Sequence, residues 1–225
     1  MIRNIKFKGQ DLSFDLPTEA DQSVFDEIFR DNEYRDIEDL IIKSKSPILD
    51  LGAHKGFFSI YASTLNENNA QIYAFEAAEE NCLQAKKNFK ENHIKNVKIK
   101  NLAVWTEDRD KEFYFSEDSH NHSFFGEGEG KKIRCTCLES IFKKNRLETV
   151  GLVKMDLEGA EFSIIENASD DILKKVNTIF IEYHLHVNKD GLNILKSKLQ
   201  SVGFKVAIKK SAYSKDLGYI IASLI

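Results

Sequence analysis

The chain has 225 residues, of which 42% are hydrophobic and 30% charged, with a formal net charge of −4 at pH 7. That length suits one domain of ordinary size (residues 1–225) with a real core under a well-solvated surface. Lys and Arg are spread along the chain without a basic stripe, which argues against a nucleic-acid partner. No run approaches 18 uncharged apolar residues, so no membrane span is expected.

The N-terminal stretch MIRNIKFKGQ carries charges where a signal peptide needs an apolar segment. Cys82, Cys135 and Cys137 lack the number and spacing of a disulfide framework. A reducing, cytoplasmic setting is the expectation. Cys135 and Cys137 are expected on one side of a strand, as packing rather than chemistry.

In chain order, residues 2–16 alternate: Ile5 and Phe7, then Leu12, Phe14 and Leu16, with Gly9-Gln10-Asp11 between. This predicts a small β-hairpin. Two short helices follow, about 21–30 and 34–44, the first placing Val24, Phe25, Ile28 and Phe29 on one face. These 46 or so residues precede a core of 47–225. After Pro47 the pattern becomes strand (48–51), helix (57–65), strand (71–75), helix (79–92), strand (97–101), the signature of βαβ units.

Residues 106–137 read as an inserted hairpin. Lys111–Phe115 and Lys132–Cys137 alternate around a polar loop with His120, His122, Gly126, Gly128 and Gly130. The alternation of elements resumes with a helix (138–145), strand (151–156), helix (160–167), strand (178–183) and helix (190–202). Two strands, 204–209 and 219–224, close the chain as an antiparallel pair. The expected architecture is a doubly wound α/β fold, Rossmann-like, with a mostly parallel seven-stranded sheet. In such a sheet the loops after the strands gather on one edge, where ligands bind.

Three clusters on that edge carry chemistry. The first is Asp50-Leu51-Gly52-Ala53-His54-Lys55-Gly56, leaving a buried strand and entering a helix. Gly52 lets the backbone turn and approach a ligand, Gly56 lets the helix start pack closely, and free N–H groups there can hold a carboxylate. The second is Phe75-Glu76, an acid at the next strand's end, placed to accept hydrogen bonds from both hydroxyls of a ribose. The third is Lys154-Met155-Asp156-Leu157-Glu158-Gly159-Ala160-Glu161, where an apolar strand runs straight into charge. Asp156 either faces a ligand or caps the next helix. Beside it, Glu182, His184 and His186 alternate along their strand and can face one cavity. Three readings stay open for that trio: a histidine base, a metal set that includes Asp156, or a hydrogen-bonded network.

Together these pieces resemble the FkbM-type family of S-adenosylmethionine-dependent methyltransferases. The match lies in the Asp50–Gly56 loop, Phe75-Glu76, Asn101-Leu102-Ala103-Val104, the Lys-x-Asp-x-Glu-Gly-x-Glu block at 154–161, and Ile181-Glu182-Tyr183-His184. The Asn-Glu-Tyr-Arg stretch at 32–35 looks like the family's upstream helix. The chain departs from the pattern at His54-Lys55 and at Ala77-Ala78. The resemblance implies that Asp50, Gly52, Ala53, His54 and Gly56 cradle the methionine part of the cofactor. It also implies that Glu76 holds the ribose, Ala103 lies beside the adenine, and Asp156 sits near the reactive methyl. The implied acceptor is a hydroxyl on a sugar or other small metabolite. His184 is the expected base, Asp156 or Glu158 its orienting partner, and Glu182 the reserve.

Three rivals remain at this level. A nucleic-acid methyltransferase predicts an Asn/Asp-Pro-Pro-aromatic motif after the fourth strand, where Asp156-Leu157-Glu158-Gly159 stands instead. A nicotinamide-dependent oxidoreductase predicts G-x-G-x-x-G, which is missing. A non-catalytic S-adenosylmethionine-binding module would keep Gly52 and Glu76 without the acidic and histidine groups.

Overall fold

The protein was described from a computed structural model covering residues 1–115, 122–125, 130–211 and 214–224. The alternating N-terminus forms an antiparallel hairpin of β1 (Ile2–Phe7) and β2 (Gln10–Asp15). Its turn is Lys8-Gly9, one residue earlier than the Gly9–Asp11 stretch expected. Both turn residues have positive φ, 46° and 83°, as a tight two-residue turn demands. Helix α1 (Glu19–Phe29) opens with a reciprocal cap: the Thr18 hydroxyl accepts from the Asp21 N–H, and the Asp21 carboxylate accepts from the Thr18 N–H.

The helix expected over 34–44 is split. A 3₁₀ turn at Glu33–Ile37 runs into α2 (Glu38–Lys43). Asn32 enters it left-handed, and Ile37 departs from helical geometry (φ −114°, ψ 3°), so one continuous helix cannot form.

Then come β3 (Ile48–Leu51), α3 (Phe57–Leu65), β4 (Ile72–Glu76), α4 (Glu79–Glu91) and β5 (Val97–Asn101). The insertion holds β6 (Ala103–Val104), β7 (Asp110–Phe113) and β8 (Lys131–Thr136) in a separate three-stranded sheet. β7 and β8 pair antiparallel, as the hairpin reading expects. His120, Gly126 and Gly128 of its loop lie outside the described residues. Cys137 is not on the strand with Cys135. The strand ends at Thr136, and Cys137 begins α5 (Leu138–Asn145). The rest is β9 (Val150–Met155), α6 (Ala160–Asn167), a short α7 (Asp170–Leu173) absent from the sequence reading, β10 (Val176–His184), α8 (Gly191–Val202), β11 (Phe204–Lys210) and β12 (Leu217–Leu224).

Seven strands make the main sheet, in the order β11-β12-β10-β9-β3-β4-β5. The pairs among β10, β9, β3, β4 and β5 are parallel, while β12 runs antiparallel to both neighbours. Apolar clusters fill both faces of the sheet. One packs the hairpin, α1, α3 and α4; the other packs α5, α6 and α8. Chain order reverses at β3, which lies between β4 on one side and β9 on the other. Leu51 therefore aligns with both Phe75 and Met155, and the three loops that follow open onto one crevice.

Candidate active site

The crevice is a cavity of about 430 Å³, within the usual range for a small-molecule site. Its walls come from the ends of β3, β4, β9 and β10, from α1 and the 3₁₀ turn, and from the insertion.

At one end, β3 gives way to Gly52 with φ +79°. A Cβ there would stand 1.9 Å from the Asp156 carbonyl oxygen, so glycine is required both for the turn and for the approach of the two loops. The Gly52 and Ala53 N–H groups both donate to the Phe75 carbonyl at 3.0 Å. His54, itself left-handed at φ 48°, donates its N–H to Glu76 Oε2 at 2.7 Å. Glu76 Oε1 accepts from the Ala78 N–H at 2.9 Å. Burial raises the Glu76 pKa against these hydrogen bonds. The Asn81 amide also donates to Oε1, at 3.5 Å, and of a carboxylate's about four acceptor positions the remainder is open to a ribose hydroxyl. Helix α3 starts at Gly56 without a side-chain cap, and its first residues, Phe57 and Phe58, line the cavity. Uncapped N–H groups at a helix start suit a carboxylate. Glycine turn, uncapped helix and partly satisfied acid are a donor set that fits an amino acid joined to a ribose.

Of the residues expected at this end, Gly52, Ala53, His54, Glu76 and Ala103 line the cavity. Asp50 and Gly56 do not. Asp50 is fully buried behind the loop, accepting the Ser59 hydroxyl at 2.6 Å with Lys154 Nζ at 3.7 Å. Gly56 faces α4, where a Cβ would meet the Phe89 ring at 2.5 Å.

The other end is crowded with ionisable groups. Asp156, Glu158, Glu182, His184 and His186 all line it. Asp156 caps no helix, since the N-cap of α6 is Gly159. Lys154, nearly buried, donates to the Gly52 carbonyl at 2.8 Å and stands 3.5 Å from Asp156 Oδ2. Burial lowers its pKa, but Asp156 and Asp50 outweigh that and raise it, so it stays charged.

His184 is gripped by Glu161, a fully buried acid to which the sequence reading assigned no role. Glu161 Oε1 accepts from the His184 backbone N–H (3.0 Å) and lies 3.1 Å from its Nδ1, while Oε2 accepts from the Gly159 N–H (2.9 Å). The His184 Nε2 faces Glu158 at 3.4 Å and Asp156 at 4.0 Å. Burial pulls the imidazole pKa down, but the Glu161 hydrogen bond and three carboxylate charges push it up to about 10. This environment favours the imidazolium form of His184, which weighs against the role of base expected of it. Glu158 is pushed up to about 7, because burial and the charges of Asp156 and Glu161 outweigh one imidazolium shared among three acids. Glu158 sits left-handed at φ 50°, a costly conformation for a non-glycine residue.

One ligand atom each from Asp156, Glu158 and His184 lie within 4.8 Å of one another, the compactness a metal ion requires. The imidazolium and the Lys154 ammonium beside Asp156 oppose that use.

Three wall segments come from the N-terminal helices and the insertion, whose place in the chain led us to expect that they wall the acceptor pocket. Val24, Glu27 and Ile28 enter from α1, and Glu33 and Tyr34 from the 3₁₀ turn. Phe113, His122 and Phe124 enter from the insertion, whose Ser123 hydroxyl donates to the Glu158 carbonyl at 2.9 Å. The Asn32–Arg35 resemblance was the available signal for Glu33.

A doubly wound sheet with a glycine turn and an acidic strand end at its switch point defines a methyltransferase-like α/β fold. Residues 50–206, more than half the chain, match the methyltransferase FkbM domain, and the protein belongs to that family. A comparison of the sequence with curated proteins gives no match. Solved structures share the fold at low identity. Methyltransferase FkbM from Methylobacillus flagellatus KT is 15% identical with TM-score 0.56, covering 79% of this chain and 44% of that one. SMU.1697c from Streptococcus mutans, solved in complex with SAH, is 13% identical with TM-score 0.57, covering 87% and 97%. An rRNA methylase from Streptococcus thermophilus is 12% identical with TM-score 0.53, covering 84% and 94%.

Proposed function

We propose that the protein transfers a methyl group from S-adenosylmethionine to a hydroxyl oxygen of a small acceptor, a sugar or other small metabolite. The observation that carries this reading is one cavity joining the Gly52–Glu76 cradle to the Asp156–Glu158–His184 cluster. When bound, S-adenosylmethionine supplies a methyl already activated as a sulfonium substituent.

The chain's own residues do the rest. Gly52–His54 and the start of α3 hold the amino-acid end, Glu76 the ribose, and Ala103 the adenine side. Glu158 is the residue that takes the acceptor's proton as the oxygen–carbon bond forms and the sulfur–carbon bond breaks. Its carboxylate is poised close to working pH, where a general base is most effective. His184 steers Glu158 and Asp156 as an imidazolium, and Asp156 orients the acceptor. Phe113 and Phe124 of the insertion, with Val24 and Ile28 of α1, keep water from the reacting atoms.

Calorimetry with S-adenosylmethionine and separately with NAD tests the donor: heat of binding is expected for the first alone, and the reverse would overturn the reading. A chelator is expected to leave turnover unchanged; its loss on chelation, restored by added metal, would replace the proton relay with a metal mechanism.

A further inference from the structure

We infer that the acceptor carries a cationic group, an ammonium or guanidinium, beside the hydroxyl that receives the methyl, and that Glu33 and Glu182 hold it within the cavity. This rests on the methyl-transfer reading above and specifies its substrate class.

Among the described residues, two acids at this end of the cavity lack a cationic neighbour at salt-bridge distance. Lys154 is matched by Asp50 and Asp156. His184 is matched by Glu158 and Glu161. Glu33, from the 3₁₀ turn, and Glu182, from β10, line the same cavity. Among the described residues no Lys, Arg or His nitrogen lies within 4.0 Å of either, the pairs just named being those of this end. Tyr219, opposite Glu182 across the β10–β12 ladder, hydrogen-bonds Glu33. Glu33 and Glu182 sit close enough to repel one another, and Asp156 repels both. Burial and this crowding outweigh the pull of Lys154 and His184 and push Glu33 up to about 8 and Glu182 well above the usual carboxylate range, so a cation entering the cavity displaces protons from them as it binds. Both side chains are walled by protein yet open to the cavity, so a guest in the cavity is what could relieve them.

A second observation points the same way. Tyr34 and Phe58 line the cavity too, their rings 4.6 Å apart, and Lys154 Nζ already lies 6.0 Å from the Phe58 centroid, a cation on an aromatic face that is favoured when desolvated. A neutral polyol would find acceptors here in excess of need. An anionic guest would be repelled.

The test uses the full chain saturated with S-adenosylhomocysteine, whose own affinity is measured first by calorimetry. That first measurement judges the methyl-transfer reading independently. Matched probes then follow: D-glucosamine against D-glucose and N-acetyl-D-glucosamine, and 4-aminobutan-1-ol against butane-1,4-diol. The amines are expected to bind about tenfold tighter than their neutral counterparts. That preference should shrink to about threefold or less in Glu33→Gln and in Glu182→Gln, each losing one carboxylate. Equal or undetectable binding of both members of each pair would overturn the inference. So would a preference that survives both substitutions, or Mg²⁺ alone displacing the amine, which would make this a metal site. Should a variant fail to fold, N-acetylation of the probe removes the same charge pair in the unaltered protein.

Discussion

His184 and Glu158 set what the site can do with a proton. In the unfolded chain an imidazole titrates near 6.5, whereas the folded environment holds His184 to about 10. Glu158 is raised too, but by burial, which delays its ionisation to about 7. If Glu158 is the base, kcat/KM rises as pH climbs through about 7 and falls as the imidazolium is lost near 10. Glu158→Gln should lower turnover by about 10²–10⁴-fold and erase the rising limb, a range typical of removing a general base. A rising limb unchanged in that variant would transfer the role to another group. His184→Ala should lower turnover far more than it lowers donor affinity, because the ring faces the acids rather than the donor loop; equal turnover would remove His184 from the mechanism. The same shift acts on stability. Between 6.5 and about 10 the folded chain holds a proton the unfolded chain has released, so His184's contribution is complete below 6.5 and lost as pH rises through about 10.

Gly52 makes a simpler case at the same scale. Gly52→Ala demands both a left-handed alanine and movement of the Asp156 carbonyl. The expected loss is about 3 kcal/mol or more by denaturant unfolding, since strain and backbone overlap add. A change under about 0.5 kcal/mol, the range of a bland surface substitution, would mean the two loops part freely.

Among elements, the tie between α1 and the glycine loop carries the most weight. Asp21 is fully buried, pairs with the Lys55 ammonium and completes the cap with Thr18. Burial works to raise the Asp21 pKa, but the Lys55 and Thr18 hydrogen bonds prevail and lower it. Asp21→Ala strands the Lys55 charge in the interior, at about 3–5 kcal/mol, or on the order of 10 °C in Tm for a chain this size. Donor affinity should fall with it, because Lys55 belongs to the loop that would hold the donor. An unshifted Tm would show that α1 is fastened by apolar packing alone. The Asn88 amide, which donates to the Lys55 carbonyl at 2.9 Å, holds the loop's other flank from α4.

For the molecule as a whole, the acidic end of the cavity and the net charge of −4 oppose a polyanionic acceptor. Labelled methyl transfer to ribosomal RNA is therefore expected to stay at background, although fold neighbours include an rRNA methylase. Much of this architecture was legible beforehand. The change of period after Pro47, the glycine turn and the charged strand ends are local patterns, so α3, β5 and α5 fall where expected. The grip of Glu161 on His184 was not legible, because it depends on which face of α6 meets β10. Nor was the pairing of Glu33 with Glu182, which lie far apart in sequence and meet only when the N-terminal segment packs against the sheet. The acids around His184 were not legible for the same reason: a strand pattern shows which way a ring points, but not how many carboxylates surround it.

The hydroxyl of Ser123 adds a constraint of a different kind. It fastens the inserted hairpin to the backbone of Glu158, so one short segment both shapes the cavity wall and holds the posture of the acid. Chimeras that exchange this segment between family members would alter acceptor preference and pH optimum in the same stroke. An insert without a donor at that spot is expected to free the Glu158 backbone and lose activity even where the acceptor fits.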